Sequence, residues 1–170
     1  QPHLGRMLIV GATPELMRLP EHFSRQTLKC EGSQEQIAAR LVELQDFDHL
    51  VWLGASLPGA SREDSLLAAF RLIKALLSAG HGARVLSWTL ITTQCQPVDA
   101  HDRVHSADAG LHGLFGSMAR EYPNWRVRIA DLEVGAVPHY ETIFGLPFDV
   151  RGQAWLQRRG QWYRSALLPF

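Results

Sequence analysis

A recurring unit limits how this chain can fold: a short apolar run, a turn, and a stretch whose apolar residues return at helical spacing. Met7–Val10 is the first such run, and residues 14–23 after it have helix-compatible spacing. Residues 26–29 read as a second strand. Ser33 then opens a helix over residues 34–44 that places Ile37, Leu41 and Leu44 on one face, with Gln36 completing a capping box. His49–Leu53 is continuously hydrophobic, as expected of a strand covered on both sides.

The unit recurs in the second half. A Pro/Gly loop at residues 57–61 precedes a helix start at Ser61 and Asp64, and the helix runs to about Ala79 with Leu66, Phe70, Ile73 and Leu77 inward. Gly80 and Gly82 stop it. Residues 84–92 form a fourth strand, 93–105 a polar loop, and Ser106 caps a helix over 107–121 that ends before Pro123. A fifth strand covers 126–132. Residues 152–158 and 161–167 flank Arg159-Gly160 and read as a hairpin or paired edge strands. Alternating strands and helices imply an α/β fold: a Rossmann-like parallel sheet with helices on both faces, because right-handed crossovers place them there.

Composition excludes whole classes of partner. The 170 residues, 46% of them apolar, suffice for one domain with a sizeable core, so residues 1–170 are read as a single unit. Net charge is zero, which argues against nucleic acid. The longest apolar run, over residues 66–77, is broken by Arg71 and Lys74 and falls short of the roughly 20 residues that span a bilayer. With two cysteines, Cys30 and Cys95, and no signal-peptide pattern at the start, the expected location is cytoplasmic.

A dinucleotide site at the first strand–helix turn needs several glycines so that backbone N–H groups can approach the pyrophosphate. The turn here reads Gly11-Ala-Thr-Pro-Glu-Leu-Met17, with one glycine and with Glu15 in the first helical turn, where its charge opposes a phosphate. No cofactor is expected. His101-Asp-Arg-Val-His105 has an HxxxH spacing but lies in a predicted loop without an evident third ligand, so no metal is expected either.

The segment Val104-His-Ser-Ala-Asp-Ala-Gly-Leu-His-Gly-Leu-Phe-Gly-Ser-Met-Ala-Arg-Glu-Tyr122 resembles the active-site helix of short-chain dehydrogenases, with Leu111, Gly113 and Leu114 at its packing positions. On that alignment the family's Tyr-x-x-x-Lys falls on Val104 and Asp108. The resemblance therefore implies no catalytic residue: valine has no proton to give, and aspartate reverses the charge that lowers the phenol pKa. The catalytic serine would come from Thr92 or Thr93. No tyrosine in the chain has a lysine four residues later, since Lys29 and Lys74 are its only lysines.

Within that superfamily, Asp48-His-Leu-Val-Trp-Leu53, Leu86-Ser-Trp-Thr-Leu-Ile-Thr-Thr-Gln94, residues 112–125 and Arg128-Ile-Ala-Asp-Leu-Glu133 resemble the structural subdomain of polyketide synthase ketoreductases, particularly the trans-acyltransferase type. The resemblance implies a truncated Rossmann-like, short-chain dehydrogenase fold and a non-catalytic scaffold, a pseudo-ketoreductase or a half whose catalytic subdomain would follow Phe170. Its implied partners are that catalytic subdomain, a methyltransferase, a dehydratase or an acyl carrier protein. The apolar tail, Trp155, Trp162, Tyr163, Leu168 and Phe170, is the candidate interface. Gly110, Gly113 and Gly116, each costing a helix about 1 kcal/mol relative to alanine, point to a close approach by another backbone. Two alternatives stand beside the scaffold: part of an NADPH-dependent reductase active with its other half, and a flavodoxin-like binding module whose pocket would use Thr92, Thr93 and Asp131 at the carboxyl ends of the strands.

Overall fold

The computed structural model describes residues 5–10, 24–44, 46–54 and 65–165. The predicted first helix and its glycine turn, the loop at 57–61, the helix start at Ser61 and Asp64, and Leu168 and Phe170 lie outside them. Among the described residues, seven strands form one sheet: β1 (Met7–Val10), β2 (Arg25–Leu28), β3 (His49–Leu53), β4 (Leu86–Thr93), β5 (Trp125–Leu132), β6 (Ala154–Arg158) and β7 (Gln161–Arg164), in the order β2-β1-β3-β4-β5-β6-β7. All neighbours are parallel except β6 and β7, which form the expected antiparallel hairpin. Arg159 and Gly160 turn it with φ of 52° and 74°, the left-handed conformation that a two-residue hairpin favours.

Parallel strands buried on both sides need apolar side chains at nearly every position, and β1 and β3 have no exposed residue. Helices α1 (Gln34–Glu43), α2 (Ser65–Ser78) and α3 (Ala109–Glu121) cover one face, over a core containing Leu8, Leu50, Trp88, Leu90, Phe115 and Trp125. A smaller cluster on the other face, with Ile9, Val51 and Ile91, is covered by the short helix α4 (Tyr140–Gly145) through Ile143 and Phe144. Helices thus occupy both faces.

The connections through α1, α2, α3 and α4 all step the same way across the sheet, yet α4 lies on the face opposite the other three. The β5–α4–β6 crossover therefore has the opposite hand, so the right-handed rule cannot hold for all four. Sequence patterning does not reveal this six-residue helix, because fewer than two turns between Pro138 and Pro147 leave no measurable period.

The capping box at α1 forms as expected: Ser33 Oγ accepts from Gln36 N and Gln36 Oε1 accepts from Ser33 N. Three expectations need correction. Leu66 and Phe70 face outward at 43% and 49% exposure, and α2 buries Ala68, Ala69, Leu72, Ile73, Ala75 and Leu76 instead. The buried face lies opposite the polar stripe Arg71-Lys74-Ser78, with Leu66, Phe70 and Leu77 to one side of it, and its alanines let α2 sit close to its neighbours. Ser106 does not cap α3, since residues 106–108 form a 3₁₀ turn and the α-helix starts at Ala109 without a side-chain cap. Gly82 is not a stop but lies inside a second 3₁₀ turn, His81–Ala83, whereas Gly80 does break α2 with φ 83°.

The glycines of α3 divide three ways. Gly116 meets Gly152 backbone to backbone: a Cβ on Gly152 would lie 2.4 Å from Gly116 Cα. Gly110 lies against Leu66, while a Cβ on Gly113 would meet nothing within 4 Å.

Candidate functional site

The carboxyl ends of β4 and β5 hold a dense polar cluster. Register pairs Thr92 with Asp131, and strand alternation turns both toward α3, whose His112 lies above them. Gln94, at φ 51°, reverses the chain after β4 and brings the N–H groups of Cys95 and Gln96 back over Asp131. The carboxylate accepts from Thr92 Oγ1 at 2.8 Å, Cys95 N at 2.9 Å, Gln96 N at 3.2 Å and Arg158 Nη2 at 2.8 Å. Arg158, at the end of β6, is 1% exposed and also donates to the carbonyls of Gln96, Asp131 and Gln157. Its Nε lies 3.5 Å from Asp102 Oδ2, within ion-pair range but without hydrogen-bond alignment.

His112 completes a chain of donors. The Gln96 amide donates to Nδ1 at 2.8 Å, which puts the ring proton on Nε2, 2.8 Å from Thr92 Oγ1. That tautomer is assigned by the network. Burial pushes the His112 pKa below the usual value, so the ring is neutral at neutral pH. The cluster is a closed sequence, Gln96 to His112 to Thr92 to Asp131 to Arg158, with both carboxylate oxygens engaged.

This arrangement settles the places of the residues singled out from the sequence. Thr92 and Asp131, candidates for the polar end of a binding pocket, are both 0% exposed and spent on each other. Thr93 points to the opposite face and is also buried. Val104, at the tyrosine position, lies in the loop before α3 and is 48% exposed, whereas Asp108, at the lysine position, is 0% exposed and accepts from Ser65 Oγ at 3.1 Å. The two do not share a helical face, since α3 begins after both.

Cys95 Sγ, His112 and Asp131 come within 4.8 Å of one another, a grouping of metal-ligand types. It does not suit a cation: the Arg158 guanidinium already sits on Asp131, and an ion would have to displace the Thr92 and backbone donors. Burial first and Asp131 second push the Cys95 thiol up to about 12, far from thiolate. His101 and His105 are both exposed in the loop and make no such group. Spacing alone does not reveal the cluster, because its members come from β4, the loop after it, α3, β5 and β6.

A second buried cluster lies on the opposite face. His49 Nε2 and Thr89 Oγ1 are 2.8 Å apart, and Arg128 Nη1 donates to the same hydroxyl at 3.3 Å. The Arg128 guanidinium lies 4.1 Å over the Phe148 ring. Burial, then the Arg128 charge, lowers the His49 pKa to about 3, and burial lowers Arg128 to about 10.

Outside the first cluster, a groove of about 480 Å³ runs between α3 and the β6–β7 hairpin, lined by Gln96, His112, Ser117, Arg120, Arg151 and Gln153 among others. The candidate interface residues lie on that hairpin. Trp155 and Tyr163 are half-buried, and Trp162 is half-buried against the smaller core cluster. Trp155 Nε1 donates to the Pro147 carbonyl, and Arg164 lies over its ring.

No family model matches the chain. It is 41% identical over 140 residues to polyketide synthase PksM and 36% identical over 147 residues to polyketide synthase PksN, both of Bacillus subtilis (strain 168). These alignments cover 80% and 81% of the chain but 3% of each relative. Among solved structures, an adenylation, ketoreductase and pseudo-Asub multidomain structure of a keto acid-selecting NRPS module aligns with TM-score 0.64 and 14% identity, over 96% of this chain and 17% of that one. A-type ketoreductases from a modular polyketide synthase align with TM-score 0.57 and 20% identity, over 82% of this chain and 32% of the other. The chain is homologous to a segment of polyketide synthases, and its fold is that of the short-chain dehydrogenases and ketoreductases.

Proposed function

We propose that this chain, a homologue of a polyketide synthase segment built on the ketoreductase fold, is a structural, non-catalytic subdomain of the trans-acyltransferase type. It supports a ketoreductase catalytic half or neighbouring domains rather than reducing a substrate itself, and it works in the cytoplasm. One observation carries the reading. Where a reductase would present a free hydroxyl, a phenol and an ammonium group, this chain has a hydroxyl buried against Asp131, an exposed valine and a buried aspartate. A group with no solvent-facing proton cannot protonate a carbonyl oxygen, and a carboxylate cannot lower a phenol's pKa.

The partner side of the proposal puts docking on the β6–β7 hairpin. Among the described residues β7 is an edge strand, whose outer backbone groups can pair with another segment, and Trp155, Trp162 and Tyr163 add half-exposed aromatic area beside it. The candidate partners are a catalytic subdomain, a methyltransferase, a dehydratase and an acyl carrier protein. Co-purification of the chain with adjacent domains tests this. Trp155→Gln together with Tyr163→Gln should reduce recovery of the complex while leaving the isolated chain folded by circular dichroism. Undiminished recovery would remove the hairpin from the interface.

A further inference from the structure

The groove between α3 and the β6–β7 hairpin is a concave feature that the proposed scaffold role leaves unused. Its walls carry two guanidiniums, Arg120 from the last turn of α3 and Arg151 from the loop before β6, and no carboxylate lines it among the described residues. Both arginines are exposed, and neither side chain has a hydrogen-bond or ion-pair partner among the described residues. Two charges beside the groove, on Asp149 and Arg158, are already balanced. Asp149 is paired with Arg164 and accepts from the N–H groups of Arg151 and Gln153, and Arg158 behind the groove is paired with Asp131. The floor is polar and neutral, formed by Gln96, by His112, whose charge burial suppresses, and by Ser117. Two unpaired positive charges over a neutral floor of hydroxyl, amide and imidazole groups make a concave site of one sign.

We propose that this groove binds a phosphate-type oxyanion, with Arg120 and Arg151 as the charged donors and Ser117 and Gln153 as neutral ones. Guanidinium forks match the geometry of tetrahedral oxyanions, and two of them balance a dianion better than a single carboxylate. The bare backbone of Gly113 lets a ligand come close to the α3 wall, since an added Cβ there meets nothing within 4 Å. The oxyanion could be free phosphate or the phosphoryl group of a small organic phosphomonoester.

The test is amide-detected NMR of the full chain at constant ionic strength, titrated separately with inorganic phosphate and with glycerol 3-phosphate. Saturable shifts centred on Gly113, Gly116, Ser117, Gly152 and Gln153 are expected with at least one probe. Glycerol 3-phosphate binding tighter than phosphate would mean that the groove also reads the organic part, and equal binding would mean that it reads the oxyanion alone. Each of Arg120→Gln and Arg151→Gln should weaken binding about tenfold, the loss of one charge-assisted hydrogen bond. Gly113→Leu, whose side chain enters open space, should abolish the shifts while leaving the rest of the spectrum unchanged. Absence of a saturable response to both probes would overturn the proposal, as would equal affinity in the double arginine variant.

Discussion

Arg128 and Arg158 stand on adjacent strands of one sheet and are 3% and 1% exposed, yet the chain treats them in opposite ways. Arg158 has a fully buried carboxylate at 2.8 Å and three carbonyl acceptors. Arg128 has a threonine hydroxyl, the face of Phe148 and no carboxylate partner among the described residues, while the Nε of each arginine is without a hydrogen-bond partner there. Burying a charge costs several kcal/mol, and the two sites meet that cost differently. At Arg158 a matched anion and three carbonyl acceptors on the two terminal nitrogens offset it, and only Nε is left without a hydrogen bond. At Arg128 the cost is met only in part, which is why burial draws its pKa down to about 10. The carboxyl ends of β4 and β5, where this fold class usually does its chemistry, are thus occupied by a buried ion pair and its hydrogen bonds.

Removing the anion strikes this contrast hardest. Asp131→Asn leaves buried Arg158 with Asp102, 3.5 Å from its Nε, as its one carboxylate among the described residues and weakens the hold on Cys95 and Gln96, so the chain should lose about 3 kcal/mol of stability in urea unfolding. A loss below about 1 kcal/mol would mean that the cluster does not anchor the strand ends. Next comes a pH effect that belongs to the other cluster. His49 has a folded pKa of about 3 against an ordinary value of 6.5, so below pH 6.5 the unfolded chain takes up a proton that the folded chain refuses. Stability is therefore full above about pH 6.5 and falls by about 1.4 kcal/mol per pH unit as the pH drops toward 3. His49→Gln should remove about 2 kcal/mol of the loss between about pH 6.5 and about pH 5, measured by denaturant unfolding at both pH values. Part of the acid sensitivity should remain, because burial lowers the His112 pKa in the same direction.

Thr92→Val separates His112 from Asp131 without touching the ion pair. It leaves the His112 N–H and one carboxylate oxygen each short of a partner, and about 1–3 kcal/mol should be lost in thermal or urea unfolding. Arg128→Met should have the smallest effect. Losing the contact with Phe148 and the Thr89 hydrogen bond is offset by no longer burying an incompletely compensated cation, so stability should change by less than about 1 kcal/mol. If Arg128→Met proved as damaging as Asp131→Asn, the contrast between the two arginines would collapse.

The fold is legible in the sequence where one period dominates. β3 and the capping box of α1 are local signals, set by continuous apolar residues and by Ser33 with Gln36, and the Arg159-Gly160 turn follows from hairpin chemistry. α4 is not legible, because six residues between prolines carry no period, whereas the inward face of α2 is marked by the polar stripe Arg71-Lys74-Ser78 opposite it and is missed when the largest apolar side chains, rather than the alanines, are taken as inward. The polar cluster is partly visible: Thr92 and Asp131 stand out as hydroxyl and carboxylate at strand ends. Their closure by Arg158, 27 residues beyond Asp131, depends on the β5–β6 register, which sequence spacing does not encode. The groove is out of reach for the same reason, since its two arginines come from α3 and from the loop before β6.

Whether this chain can reduce a ketone is decided by an assay with the purified chain, a β-ketoacyl thioester substrate and NADPH, followed by loss of absorbance of the reduced nicotinamide, with and without a separately supplied catalytic half. The chain alone should give no turnover, and the rate with the catalytic half should be one that Thr92→Val does not change beyond its effect on stability. Ketone reduction by the chain alone would refute the non-catalytic role.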